Sequence, residues 1–239
     1  MTPLGLELHP VVEVPHAEYL RLLGYPRHHT LEGRARELAE WAISWYAANG
    51  RPWIFTRLAE PVEIGGASIL LEGERFHSGV LRRRWQHASA DGAVLAAVSA
   101  GPELEREAGR LWEDERPDEY YFLEVLGSAV VEHLAALAGQ QLCGWAEGRG
   151  LAVLPHYSPG YPGWDIAEQP RLLDVITRGA ALPGELEALD TGALRPKKSL
   201  LAVFGLTRRT EGVRRLSEVP LCSTCSLATC QFRRETGDS

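Results

Sequence analysis

The longest helical pattern in the sequence covers residues 118–145, and it restricts the fold more than any other segment. Apolar residues recur along one side of it at the 3.6-residue period of an α-helix. The opposite side carries small residues, so another backbone or a ligand can come close, and Glu132 lies in its middle. A carboxylate in that position is expected to have a partner. The apolar stripe consists of Leu126, Val130, His133, Leu134 and Leu137.

Helical and strand patterns follow one another without a regular β-α-β order. This irregular order predicts an α+β fold, a single domain in which helices flank a twisted and mainly antiparallel sheet. Strands are predicted at 11–14, 53–58, 62–64, 69–71, 93–100, 151–154 and 199–207. Besides 118–145, helices are predicted at 16–23, from a cap at Thr30 to Asn49, and at 78–87, 103–112 and 165–176.

Charge and hydropathy exclude several classes of protein. The chain has 239 residues with 25 basic and 32 acidic side chains, a formal net charge of −7, which argues against binding to nucleic acid or an anionic membrane. No segment reaches the ~18 uncharged apolar residues of a membrane span. The first residues lack the basic head and apolar run of a signal peptide, so a cytoplasmic location is expected.

Residues 156–162, His-Tyr-Ser-Pro-Gly-Tyr-Pro, directly follow a predicted strand. Pro159 and Gly160 favour a tight turn, because proline presets its own φ angle and glycine accepts a positive one. Backbone groups at such a turn, beside aromatic rings, suit a small polar ligand. An ordinary structural turn with buried tyrosines is the alternative. None of the common catalytic signatures that we sought occurs in the sequence.

Three of the four cysteines lie together near the end of the sequence, as Cys222, Cys225 and Cys230. Thiolates at this spacing can reach one metal ion. They suit an iron–sulfur cluster with one iron open or ligated from elsewhere, or zinc with a fourth ligand from Cys143 or a histidine. Incidental cysteines are the remaining alternative. We expect residues 1–215 to form the α+β domain and 216–239 a cysteine-cluster tail.

Residues 156–161 resemble the R-x-x-x-G-Y signature of the activation (reactivation) domain family of vitamin B12-dependent methionine synthase. Other parts agree in order: a long helix with a glutamate before the turn, a polar helix after it, and an L-x-x-x-x-L-x-P-x-x-S pattern at residues 189–199. The chain is also similar to short stand-alone members of that family that end in a cysteine cluster.

The resemblance implies S-adenosylmethionine bound in a shallow site on an antiparallel sheet, beside cobalamin that a partner protein holds. By position, Glu132 would contact the methionine amino group, Ser158 would give backbone contacts, and Gly160 and Tyr161 would end the signature. His156 stands where the family has arginine, so binding of the ligand's carboxylate should be weaker or different. The corrinoid-binding protein or methyltransferase would be a separate chain.

Three hypotheses follow from these residues. The first is an accessory protein that supports reductive reactivation of a corrinoid protein in methionine synthase-type methyl transfer, with an iron–sulfur cluster passing an electron. The second is a non-catalytic module that binds a corrinoid protein or another small ligand and holds a structural zinc. The third is an enzyme with unrelated chemistry on the same fold.

Overall fold

A five-stranded antiparallel sheet forms the centre of the molecule in the computed structural model, which describes residues 3–26, 29–66 and 68–209. The predicted α+β class with a mainly antiparallel sheet is therefore confirmed. The strands lie side by side in the order β1 (Pro3–Leu8), β2 (Trp53–Ala59), β6 (Gly92–Ser99), β10 (Ser199–Thr207) and β7 (Ala152–Val153).

Two smaller sheets and six α-helices complete the described part of the chain. The first small sheet contains β3 (Val62–Gly65), β4 (Ser68–Leu71) and β5 (Glu74–Phe76), and the second contains β8 (Glu187–Ala188) and β9 (Leu194–Arg195). The helices are α1 (His16–Leu22), α2 (Gly33–Asn49), α3 (Gly79–Ala88), α4 (Pro102–Glu113), α5 (Pro117–Glu147) and α6 (Gln169–Thr177).

Strand β6 lies at the middle of the sheet because it is apolar on both faces. Every residue from Gly92 to Ser99 is buried, as a strand with neighbours on both edges and layers on both faces requires. Ala97, for example, is paired with Phe55 of β2 on one side and with Leu201 of β10 on the other. The short apolar run in the sequence therefore located the centre of the core.

Alternate residues of these strands point to two different layers. One face, which we call the turn face, packs Phe55, Leu95 and Val203 against α3, α6 and residues 157–164. The other, the helix face, packs Ile54 and Val98 against α1, α2, α4 and α5. The period-2 alternation of a strand thus divides the core between the two faces. A further apolar cluster, which includes Val94 and Phe204, packs against Leu142 near the end of α5.

Helix α5 is 31 residues long and is the main element of the helix face. It is the one described helix that is long and apolar enough to cross a membrane by length and composition, with a mean hydropathy of 1.4 in its best window. In the structure 56% of that window is buried inside the protein, as in the core helix of a globular fold.

Two predicted local features were wrong. Residues 11–14 form no strand, and the strand at this end of the sheet is instead β1, which pairs with β2. Thr30 does not cap α2, which begins at Gly33 after an extended Glu32 without a side-chain cap bond. Burial of Leu31 in the helix-face cluster keeps the chain extended past Thr30.

The cysteine tail lies outside the described residues. This applies to Cys222, Cys225 and Cys230 and to the whole of the expected tail at 216–239, so both the cluster and that domain boundary stay predictions.

Candidate functional site

The turn that follows β7 lies at the edge of the central sheet. Tyr157 continues the edge pairing through two backbone hydrogen bonds of 2.9 Å with Val203. Gly160 then has φ of +92°, and its N–H donates to the carbonyl of Trp164 at 2.9 Å. The chain therefore makes the tight turn that Pro159 and Gly160 predict, and it needs the left-handed backbone that glycine provides.

Three aromatic rings join this turn to the turn-face core. The Tyr157 ring is nearly parallel to that of Trp164, with 6.3 Å between centroids, and meets the Tyr161 ring edge-on at 5.4 Å. Tyr157 and Trp164 are 5% and 2% exposed, whereas Tyr161 is 37% exposed. Two rings thus anchor the turn, and the third presents a flat surface to a ligand.

His156 lies on the other side of the same edge, against a residue of the helix face. Its ring centroid is 5.5 Å from that of Phe204, and its Nε2 is 3.2 Å from the Tyr161 hydroxyl. Burial lowers the pKa of His156 from 6.5 to about 4, so the imidazole is neutral at pH 7. His156 therefore cannot supply the charge that the signature's arginine would bring.

Ser158 is completely buried at the base of the turn. Its hydroxyl has no hydrogen-bond partner within residues 3–26, 29–66 and 68–209. Buried hydroxyl groups in proteins are normally satisfied by a protein group, by water or by a ligand. Within the described part of the chain, the Ser158 hydroxyl is therefore an unsatisfied polar group beneath the turn and is closed to solvent.

Glu132 lies on α5, and its carboxylate meets a cation from another helix. Its Oε2 accepts a hydrogen bond of 3.1 Å from Nη2 of Arg21 on α1, and its side chain is 42% exposed. Ten residues of α5 separate it from Leu142, which shares a cluster with Phe204. At the helical rise this is about 15 Å along the axis. The structure brings the four turn residues together and places Glu132 beside α1.

Glu168 holds the turn in place and was missed by the sequence analysis. Its carboxylate accepts hydrogen bonds from the Trp164 indole at 2.7 Å and from the backbone N–H of His77 at 3.0 Å, with only 11% of the side chain exposed. It thereby connects the turn to the chain between β5 and α3. In the sequence, the four-residue spacing from Trp164 to Glu168 was the available indication of this hydrogen bond.

Arg84 on α3 was also missed by the sequence analysis. Its guanidinium carbon lies 5.0 Å from the centroid of the Tyr157 ring. One helical turn earlier, Val80 packs so closely on Gly163 that a Cβ there would lie 3.0 Å from it. Helix α3 therefore runs against the turn and carries a cation to it.

The described residues contain no group of three or more histidine, cysteine or acidic side chains placed to hold a metal ion. Cys143, the possible fourth ligand, lies near the end of α5 and packs against the cluster of Phe204 and Leu206. Whether it joins the tail cysteines stays a prediction.

Comparison with known proteins identifies the fold. No model of a protein family matches the chain, and no curated protein matches it in sequence. A solved structure does match: the MetH reactivation domain bound to AdoHcy, with a TM-score of 0.62 and 14% sequence identity. The fold is that of the methionine synthase reactivation domain. The match covers 89% of this chain and 81% of that domain, so the resemblance is confirmed at the level of the fold.

Proposed function

We propose that this chain is an accessory protein that binds S-adenosylmethionine at the turn of residues 156–161 and supports reductive reactivation of a separate corrinoid protein. The observation that carries the proposal is the turn itself, whose signature-like sequence lies at the edge of a sheet with the fold of the MetH reactivation domain. That relative is bound to AdoHcy, which has the adenosyl and amino-acid groups of S-adenosylmethionine without the transferable methyl.

The residues at the turn fit such a ligand. The partly exposed Tyr161 ring suits a flat heterocycle, and the backbone at Gly160 is open, since an added Cβ would meet only the Ile166 side chain at 3.7 Å. The buried Ser158 hydroxyl supplies a polar group without a partner in the described chain. When bound, S-adenosylmethionine would supply an electrophilic methyl group, and the role of these residues is to hold and orient it.

Glu132 and His156 would have different roles in this proposal. A carboxylate at Glu132 suits the ligand's ammonium group, and its link to Arg21 fixes its position. The neutral His156 would hold the Tyr161 hydroxyl through its ring nitrogen and leave the ligand's carboxylate to another group.

The tail cysteines are proposed to hold the redox centre. An iron–sulfur cluster on Cys222, Cys225 and Cys230 carries one electron, which inactive cobalt(II) needs before it can accept a methyl group. The corrinoid would be held by a partner protein in the cytoplasm, and an external low-potential donor would refill the cluster.

The alternative is a binding module with a structural zinc on the same cysteines. It is favoured by the absence of the signature's arginine at position 156, which separates this chain from the family's ligand-binding pattern. Metal and acid-labile sulfide analysis of protein purified without oxygen distinguishes the two. Iron with sulfide, lost when all three cysteines become serine, supports the redox role, and zinc supports the module.

Ligand binding is tested by isothermal titration calorimetry of the full-length chain with S-adenosylmethionine and with AdoHcy. We expect saturable binding with a stoichiometry near one. Heat of dilution alone with both ligands would contradict the proposed site, whatever metal the tail contains.

A further inference from the structure

The candidate site has a cation, Arg84, that comes from α3 and lies outside the signature. The signature has arginine at the position of His156, but His156 is neutral at pH 7, because its burial lowers its pKa to about 4. A ligand with a free carboxylate would therefore meet no charge from that position. Arg84 brings a guanidinium to the same turn from α3, with its central carbon 5.0 Å from the Tyr157 ring centroid.

Arg84 has no carboxylate partner among the described residues, as is also true of Arg82 and Arg83, but it differs from these two in lying over the Tyr157 ring. Arg171 pairs with Glu168 at 3.5 Å, and Arg178 pairs with Glu74 at 2.6 Å. No acidic residue occurs between His156 and Trp164, so the turn cannot neutralise Arg84 locally. Because Arg84 is partly buried, its guanidinium has lost part of its hydration, and an anion that joins it would restore hydrogen bonds to its N–H groups.

The position over Tyr157 also prepares Arg84 for binding. A guanidinium over an aromatic face is held by cation–π attraction, and its N–H groups at the edge of the plane stay available. Val80 and Gly163 fix the distance between α3 and the turn. The planar fork of an arginine matches a carboxylate with two parallel hydrogen bonds.

We infer that Arg84 binds the carboxylate of an amino-acid ligand at the turn, in the role that the signature assigns to the position of His156. This inference rests on the proposed function, since it names the group of this chain that recognises the amino-acid end of S-adenosylmethionine. The ammonium and carboxylate groups of an amino acid are bonded to the same carbon, so a contact of the carboxylate with Arg84 on the turn face is an alternative to the contact of the ammonium group with Glu132 on the helix face.

The test compares two ligands and two neighbouring arginines by calorimetry. AdoHcy carries the carboxylate, and 5′-methylthioadenosine keeps the adenosyl thioether but lacks the amino-acid group. We expect Arg84→Gln to weaken AdoHcy binding about 10- to 100-fold, the loss of one charge-assisted pair, and to leave 5′-methylthioadenosine binding unchanged. The matched control is Arg83→Gln, which removes the same charge from an exposed neighbour on α3 and should change neither affinity.

Each outcome decides the inference. An equal affinity of wild type and Arg84→Gln for AdoHcy would overturn it, and so would an equal loss for both ligands. If wild type binds neither ligand, the proposed function itself fails, which is a distinct result.

A second variant, Arg84→Lys, tests the inference even if Arg84→Gln does not fold. It keeps the charge without the planar fork, so its melting temperature should match that of wild type. We expect about a 3- to 10-fold loss for AdoHcy alone. Full AdoHcy affinity in a folded Arg84→Lys protein would show that the fork is not used.

Discussion

The two faces of the central sheet differ in how deeply their ion pairs are buried. The turn face contains a buried bidentate ion pair, with Arg57 Nη1 and Nη2 at 2.6 and 2.9 Å from the Glu72 oxygens. The helix face is an apolar cluster around α5, and its Arg21–Glu132 pair lies at a rim where Glu132 is 42% exposed. Both faces are stabilised by apolar packing, and on the turn face, where the candidate site lies, a buried bidentate ion pair fixes positions in addition.

The largest expected effect is on the buried ion pair. Arg57→Met leaves Glu72 without its cation and removes the side-chain donor of the Ile176 carbonyl near the end of α6. We expect a loss of about 3–5 kcal/mol in the free energy of unfolding, because an uncompensated buried charge remains. Urea denaturation followed by circular dichroism measures it.

The control for Arg57 is an ion pair on the helix face. Arg34 and Glu119 are 2.8 Å apart, but Arg34 is 61% exposed, so Arg34→Met should cost less than about 1 kcal/mol. Equal losses in the two variants would remove the contrast between the faces.

The second effect concerns pH at the sheet edge. The folded pKa of His156, about 4, is below its unfolded value near 6.5, so protons bind more readily to the unfolded chain. The stability from the neutral ring is complete above pH 6.5 and is lost as the pH falls towards 4, by up to about 3 kcal/mol. His156→Gln lacks this titration, and the difference between the two proteins at pH 7.5, 5.5 and 4.5 measures it. Parallel pH profiles would show that His156 titrates normally.

The third effect concerns the backbone of the turn. Gly160→Ala places a Cβ on a residue with φ of +92°, which should cost about 1–2 kcal/mol and weaken AdoHcy binding at least 10-fold. Gly73→Ala is the matched control: its φ is +83°, no atom lies within 4 Å of its added Cβ, and it belongs to the turn between β4 and β5. It should lose similar stability and keep its affinity. Unchanged AdoHcy affinity in Gly160→Ala would show that the ligand does not bind at this turn.

The smallest effect is expected for Glu132. Glu132→Gln should cost less than about 1 kcal/mol in stability, since the carboxylate is at a partly exposed rim. If Glu132 binds the ligand's ammonium group, AdoHcy affinity should fall about 10-fold. Glu18→Gln removes another partner of the same Arg21 and serves as the control. Equal affinities in the two variants would exclude Glu132 from the site.

The sequence predicted most elements because their signals are local. Strand 199–207 matches β10, and the 118–145 pattern lies within α5, since periodic burial of side chains fixes both. The glycine turn followed from residue chemistry alone. Glu168 and Arg84 were missed because their roles depend on contacts with residues from other elements, His77 for one and Tyr157 for the other.

The sequence by itself determined the α+β class, the buried central strand and the tight turn at Gly160, because each depends on the spacing of apolar residues or on one residue's backbone freedom. Only the tertiary structure decided that His156 is neutral and that Arg84 meets Tyr157. Burial and charge contacts depend on what surrounds a group in space: the ring beside His156 belongs to Phe204 of β10, and the ring beside Arg84 belongs to Tyr157 of the turn.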